Sequence, residues 1–214
     1  MNIILEIIRN LFPGKIRLLW LRARYGDEVS LAASVGRSII LARKLKLGAG
    51  SRIGNGNYIG PLNAFVMGEC ATMGNLNWIA IARKHDLGGK GALCLKPRSA
   101  ITHRHYIDCQ GLVSVGEMTI VAGVRSTLWT HKINIKESRQ TVGDIIIGDY
   151  CYLGSNIVVV GPTVIPSRSV VAPGAVVSAA FGEDLVLLGG CPAKVLKHYS
   201  GAEMFFSRET PYVQ

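Results

Sequence analysis

From Leu47 onward the apolar residues return every six positions, a period that belongs to neither an α-helix nor an alternating strand. The sixes read LGAGSR from Leu47, IGNGNY from Ile53 and IGPLNA from Ile59. The register slips around Phe65–Val66 and resumes as MGECAT from Met67, MGNLNW from Met73 and IAIARK from Ile79. After a less regular stretch it returns as VGEMTI from Val115 and VAGVRS from Val121. The clearest run, IGDYCY-LGSNIV-VVGPTV-IPSRSV-VAPGAV, has Ile147, Leu153, Val159, Ile165 and Val171 at its first positions, and Val177 follows in phase. Chance would place six aliphatics at one phase about once in two thousand trials. The fifth positions, Cys151, Ile157, Thr163, Ser169 and Ala175, are small in four cases of five.

Such a period predicts a prism-shaped solenoid. Each six supplies a short flat strand and a corner, and three sixes close one coil. First-position aliphatics then point inward and stack eighteen residues apart, Ile147 on Ile165 and Leu153 on Val171. Gly148, Gly154 and Ala172 fall at corners, where small size or a permissive backbone helps. A β-sandwich would alternate with period two and turn every 8–12 residues or so. The polar segment Lys132–Asp144 interrupts the sixes and is predicted to loop out.

Ahead of the repeat, Ile4, Ile7, Ile8 and Leu11 have helical spacing up to a break at Pro13-Gly14. Leu18, Leu19, Trp20 and Leu21 follow among Lys15, Arg17, Arg22 and Arg24. Two short basic amphipathic helices are predicted. They either pack on the main domain or a sister subunit, or lie on an anionic membrane surface. Positive charge follows the apolar stretch, the reverse of a signal peptide. No apolar run reaches the ~18–20 residues of a membrane span. The expected organisation is an N-terminal helical and connecting region (1–46), a repeat body (47–182) and a C-terminal loop and helix (183–214).

Composition sharpens this picture. With 49% hydrophobic and only 18% charged residues the chain is not a disordered one, and its 25 glycines lack the three-residue period of collagen. High Gly and Val/Ile with 7% aromatics is what a six-residue solenoid demands. The net charge is +10, and residues 1–25, with five positive and one negative side chain, hold +4 of it. The lysines and arginines are dispersed without interleaved aromatics, so no nucleic-acid partner is expected. Cys70, Cys94, Cys109, Cys151 and Cys191 form no C-x-x-C pair, which argues against a disulfide framework or zinc ribbon. Reduced thiols predict an intracellular, cytoplasmic protein, peripheral at the inner membrane surface if the helices bind lipid.

Over Leu47–Lys197 the sequence resembles the hexapeptide-repeat acyltransferases, most specifically in IIIGDYCYLGSNIVVV, VVAPGAVVSAA and GGCPAKVLK. The resemblance implies a left-handed parallel β-helix with a protruding loop and a short C-terminal helix. It also implies a homotrimer with acetyl-CoA between neighbouring prisms, no metal, and in many relatives a carbohydrate acceptor. Gly154, Ser155, Ala172, Ser178, Gly190, Pro192 and Lys194 are the matching cofactor-binding positions. Pantetheine asks for backbone N–H groups and the phosphates for positive side chains.

Acyl transfer to a hydroxyl needs a base of near-neutral pKa. His131, in STLWTHKINI at the start of the excursion, is that base by both placement and resemblance. His105, Tyr106 and Asp108 lie in an R-H-Y-x-D segment similar to one in related sugar acetyltransferases, a resemblance that implies a place in the acceptor pocket. Trp129 reads either as a wall of the acceptor or pantetheine site or as packing at a subunit interface. The pair His103 and His105 has alternative readings as interface packing or as two metal ligands on one strand face. His85 and His198 read as solvated loop residues. The expected reaction is acetyl transfer from acetyl-CoA to a sugar hydroxyl of a surface polysaccharide or its precursor, directly within a ternary complex. Amino-sugar N-acetylation is the near alternative, with a non-catalytic scaffold or a γ-type carbonic anhydrase further off.

Overall fold

The computed structural model describes residues 3–81 and 90–210. Strands recur on every third element, giving three faces: a nine-stranded first sheet, a seven-stranded second and a six-stranded third. Pairing along each face is parallel until the last hairpin of the first sheet, and the solenoid is the left-handed parallel β-helix. Ile147 faces Ile165 and Leu153 faces Val171, as the repeat requires. Inward rows such as Val35, Ile53, Met73, Ile101, Val121 and Leu153 form one continuous buried core.

The parallel ladder runs beyond the 47–182 body. It starts at a bridge between Val29 and Leu47 and ends where Val171 pairs with Leu188. Coils measured along the first sheet are 18, 20, 28, 20, 32, 18 and 17 residues long. The slip near Phe65–Val66 is a widened corner at residues 60–63 that turns Leu62 into the core. The 28-residue coil carries residues 82–89, which, with His85, lie outside the described residues. The 32-residue coil carries the excursion, a β-hairpin in which His131–Asn134 pairs antiparallel with Arg139–Val142. The segment after Gly190 is also a strand: Ala193–His198 folds back antiparallel on Val186–Gly190. The short C-terminal helix is a 3-10 turn at Met204–Ser207.

Corner glycines serve close approach between coils. A Cβ built on Gly116 would lie 2.1 Å from the carbonyl oxygen of Gly148 in the next coil. Left-handed backbone occurs two residues after the corner glycine, at Tyr150 and Asn156.

A buried polar ladder climbs inside the corner between the first and second sheets. The backbone N–H of Asn57 donates to Ser38 Oγ at 3.0 Å, and that of Asn77 to Asn57 Oδ1 at 2.9 Å. The His105 N–H donates to Asn77 Oδ1 at 2.9 Å, and the Ser126 N–H to His105 Nδ1 at 3.1 Å. Each side chain thus satisfies an amide that the corner turns away from its strand ladder. The amide groups of Asn57 and Asn77 also donate to Gly74 O and Thr102 O.

Helices α1 (Ile3–Arg9) and α2 (Gly14–Tyr25) flank the predicted Pro13-Gly14 break. Helix α2 closes the first coil with buried Leu18 and Leu21, and Tyr25 Oη donates to Ala42 O at 2.7 Å. Asn77→Ala strands the His105 amide and the Thr102 carbonyl in the core. At ~1–3 kcal/mol per unsatisfied group, it is expected to lower the melting temperature by roughly 5–10 °C, as measured by thermal circular dichroism.

Candidate active site

The excursion leaves the prism at the corner between the second and third sheets, and its first residue is His131. One coil below, strand Tyr106–Asp108 pairs in register with Thr127–Trp129, which sets Asp108 level with Trp129 and lets its carboxylate reach Thr130 and His131. Nδ1 of His131 lies 2.9 Å from Oδ2 of Asp108. The approach is off the hydrogen-bond line and Nδ1, itself buried, has no other partner, so the contact acts by charge and proximity. Asp108 is buried and held by Thr130, whose N–H donates to Oδ2 at 3.0 Å and whose hydroxyl lies 2.5 Å from it. The same hydroxyl accepts the Gly111 N–H at 2.9 Å. The His131 side chain retains 22% exposure, leaving its other ring nitrogen for an incoming group.

Aromatic rings form the wall beside it. Trp129 stands edge-on to His131, with ring centroids 5.8 Å apart, and Tyr106 packs on Trp129 at 5.0 Å. Tyr106 continues an outward row down the second sheet, in register with Trp78 and then Tyr58; Tyr58 and Trp78 pack at 4.5 Å.

Two expected acceptor residues take other places. Asp108 faces inward beneath His131. His105 is 1% exposed, a rung of the polar ladder whose Nε2 lies 3.0 Å from Thr102 Oγ1. With Nδ1 accepting from Ser126, its neutral ring carries the proton on Nε2. Burial, with a smaller push from nearby His103, lowers its pKa from 6.5 to about 4. The H-x-H pair does not share a strand face, because the chain turns the corner at Arg104 (φ 57°) between two strands. His103 Nδ1 instead accepts the Asn75 N–H at 2.9 Å. Among the described residues no group of three His, Cys, Asp or Glu side chains is arranged to hold a metal ion. His198 lies at the end of a strand, exposed beside Glu183.

The expected cofactor positions divide between two corners. Ser178 follows strand Val176–Val177 at the His131 corner, two coils beyond it. Gly154, Ser155 and Ala172 line the opposite edge of the second sheet, in one file with the Gly190-to-Lys194 turn. The amides of Gly154 and Ala172 donate to Val171 O and Leu188 O. They bind the next coil, and their contribution to a ligand site is small size. Ser155, Gly174 and Gly190 leave the file open, and exposed Lys194 ends it, which fits a long, flexible anion better than a compact one.

The sequence matches no protein-family model and no curated protein. Among solved structures it is similar to a variant of AntD, an N-acyltransferase from Bacillus cereus in complex with dTDP-4-amino-4,6-dideoxyglucose and coenzyme A. That likeness has a TM-score of 0.59 at 11% identity, over 74% of this chain and 83% of that one. It is also similar to the hexapeptide-repeat acetyltransferase VCA0836 from Vibrio cholerae, with a TM-score of 0.50 at 17% identity over 91% and 86%. At these identities the likeness is one of fold.

Between about pH 6.5 and pH 4 the unfolded His105 binds a proton that the folded residue refuses, so stability is present above this window and falls as pH drops through it. Melting temperatures across the window are expected to fall more steeply for the wild type than for His105→Asn, which keeps an acceptor for the Ser126 amide without the titration.

Proposed function

We propose that the protein is an acetyl-CoA-dependent O-acetyltransferase acting on a sugar hydroxyl. The observation that carries the reading is the His131–Asp108 pair at an aromatic-walled corner. Asp108 holds the imidazole with Nδ1 inward and opposes the charge that develops on the ring. Nε2 takes the acceptor's hydroxyl proton as the oxygen attacks the thioester carbonyl. The C–S bond then breaks, and the imidazolium returns the proton to the departing thiolate. This is direct transfer, and no acyl-enzyme is needed.

Trp129 and Tyr106 offer the flat apolar surfaces on which the C–H faces of a pyranose pack. The row continuing through Trp78 and Tyr58 favours an acceptor longer than one sugar. A second reading, transfer to an amino sugar, is favoured by the likeness to AntD, which was solved with an aminosugar nucleotide and coenzyme A. The same base serves both reactions.

The ligand file ending at Lys194 and the base sit at opposite edges of the second sheet, so one chain does not bring them together. A homotrimer would do so with a neighbouring prism. Support comes from the outer face of the third sheet, where Val66, Cys94, Ser114, Ile146 and Val164 stand in register without a charge. The hairpin also projects Ile133 and strongly exposed Ile135. Charge introduced at this face, as in Ser114→Arg, is expected to convert a trimer to monomer in sedimentation equilibrium and to lower turnover with it.

Purified protein incubated with acetyl-CoA and candidate glycans or amino sugars should release coenzyme A thiol. His131→Ala is expected to reduce the rate about 10²–10⁴-fold. Asp108→Asn should reduce it by roughly tenfold or more at unchanged acceptor KM, since it acts through the histidine. Thiol release by His131→Ala at the wild-type rate would overturn the mechanism.

A further inference from the structure

The two N-terminal helices are inverted relative to an ordinary surface helix, which turns its apolar stripe to the core and its charges to water. Here two charged residues, one from each helix, go inward. Glu6 and Arg17 are each 4% exposed. Arg17 donates to the backbone carbonyls of Gly36 and Ser38 in the first coil, and Glu6 pairs with Arg9. The apolar residues face out: Leu5, Ile7, Ile8, Leu11, Ile16 and Leu19 are all exposed, Leu11 at 77%. Leu18 and Leu21 alone of the helical leucines join the core.

The unpaired charge around this patch is positive. Lys15, Arg24 and Arg37 are exposed, whereas Glu6 is buried and the two acids that follow α2 are ion-paired, Asp27 with Arg22 and Glu28 with Lys46. Two copies joined through the patch would bring these cations together, whereas an anionic lipid surface would meet them with opposite charge. Among the described residues no helix is long and apolar enough to cross a membrane, so the patch suits contact in the plane of the headgroups.

We propose that helices α1 and α2 form a docking face for the surface of a membrane containing anionic phospholipid. The apolar residues enter the acyl boundary while the basic residues contact phosphates. The helices pack on the first strands of the first two sheets, and the second sheet's outward aromatic row begins near that end. His131 lies four strand spacings further on, on the order of 20 Å along the prism. A docked molecule thus presents its candidate site toward material standing off the membrane rather than to the headgroups.

The test uses the full chain and vesicles of phosphatidylcholine, alone or mixed equally with phosphatidylglycerol. The wild type is expected to co-sediment with the mixed vesicles. Ile7→Glu/Leu11→Glu and Lys15→Glu/Arg24→Glu should each lower the partition coefficient at least about tenfold. All four positions are exposed, so melting temperatures should stay near that of the wild type. Thiol release with a soluble acceptor should not change, and His131→Ala should bind vesicles normally, which separates this test from that of the proposed function. Equal sedimentation with both vesicle types would overturn the proposal, as would full binding by Ile7→Glu/Leu11→Glu. So would dissociation of the native assembly by that variant, because a second copy would then be covering the patch.

Discussion

The inner coils of this prism hydrogen-bond their strands to the coils above and below, and that ladder is the main way the molecule satisfies its backbone. A net gain of about 1 kcal/mol per bond, with a larger penalty for each buried group left unmade, forces the coils into register. Register then fixes the rest. Aliphatics stack on aliphatics inside, the corners must let backbones pass within contact of each other, and outward side chains fall into files. The aromatic file of the second sheet and the uncharged run from Val66 to Val164 on the third are consequences of that stacking. Extra residues inside a strand disturb its register, as in the single shift between Ile101 and His103 against Val121 and Val124, so long insertions belong at corners. The excursion that begins at His131 leaves at the corner between the second and third sheets, and the candidate site is built where it departs.

The corners are where a strict backbone ladder fails, and the chain repairs the failure with side chains. Ser38, Asn57, Asn77 and His105 each accept an amide from the following coil. Asp108 does the same work one corner away, accepting from Thr130, and in doing so it comes to lie against His131. The orienting carboxylate of the candidate site is thus also a structural rung. Its position is set by coil stacking rather than by contact with a substrate, which gives the imidazole a rigid neighbour before anything binds.

Much of this was legible in the sequence and some was not, for one physical reason. The sixes report inward positions along the chain, so the prism, the Ile147–Ile165 stacking and the exit at His131 could be read directly. Inward positions also continue back from Leu47, at Ile40, Val35 and Val29, which pair with Ile59, Ile53 and Leu47; the 19-residue step from Ile40 to Ile59 breaks the six-residue phase and hides the signal. Relations between coils have no such mark, because their spacing depends on insertions. Asp108 and His131 are neighbours only because the second sheet steps 21 residues between their coils, from Ile107 to Leu128. His103 and His105 looked like a pair on one strand because nothing in H-x-H announces the left-handed turn at Arg104. The single-coil reading placed His105 and Asp108 together at the acceptor; the fold sends one to the ladder and the other beneath the base.

A solenoid that stacks without limit must also be stopped, and its two ends are stopped differently. The last coil is 17 residues long, one short of the repeat, and its strand is covered by the returning strand Ala193–His198, which ends the parallel ladder with an antiparallel one. The first coil offers its open carbonyls to a helix. A single arginine, Arg17, takes two of them, at Gly36 and Ser38. Meeting that need draws the helix's charge inward, and on so short a cap the apolar residues have only the outside left to occupy. Placing Leu11 and Ile16 in water is unfavourable in a free monomer. An end that needed only to be capped would be satisfied by α2 with Arg17, Leu18 and Leu21. The exposed apolar face of α1 points away from the coil, and the docking proposed for it would account for its composition.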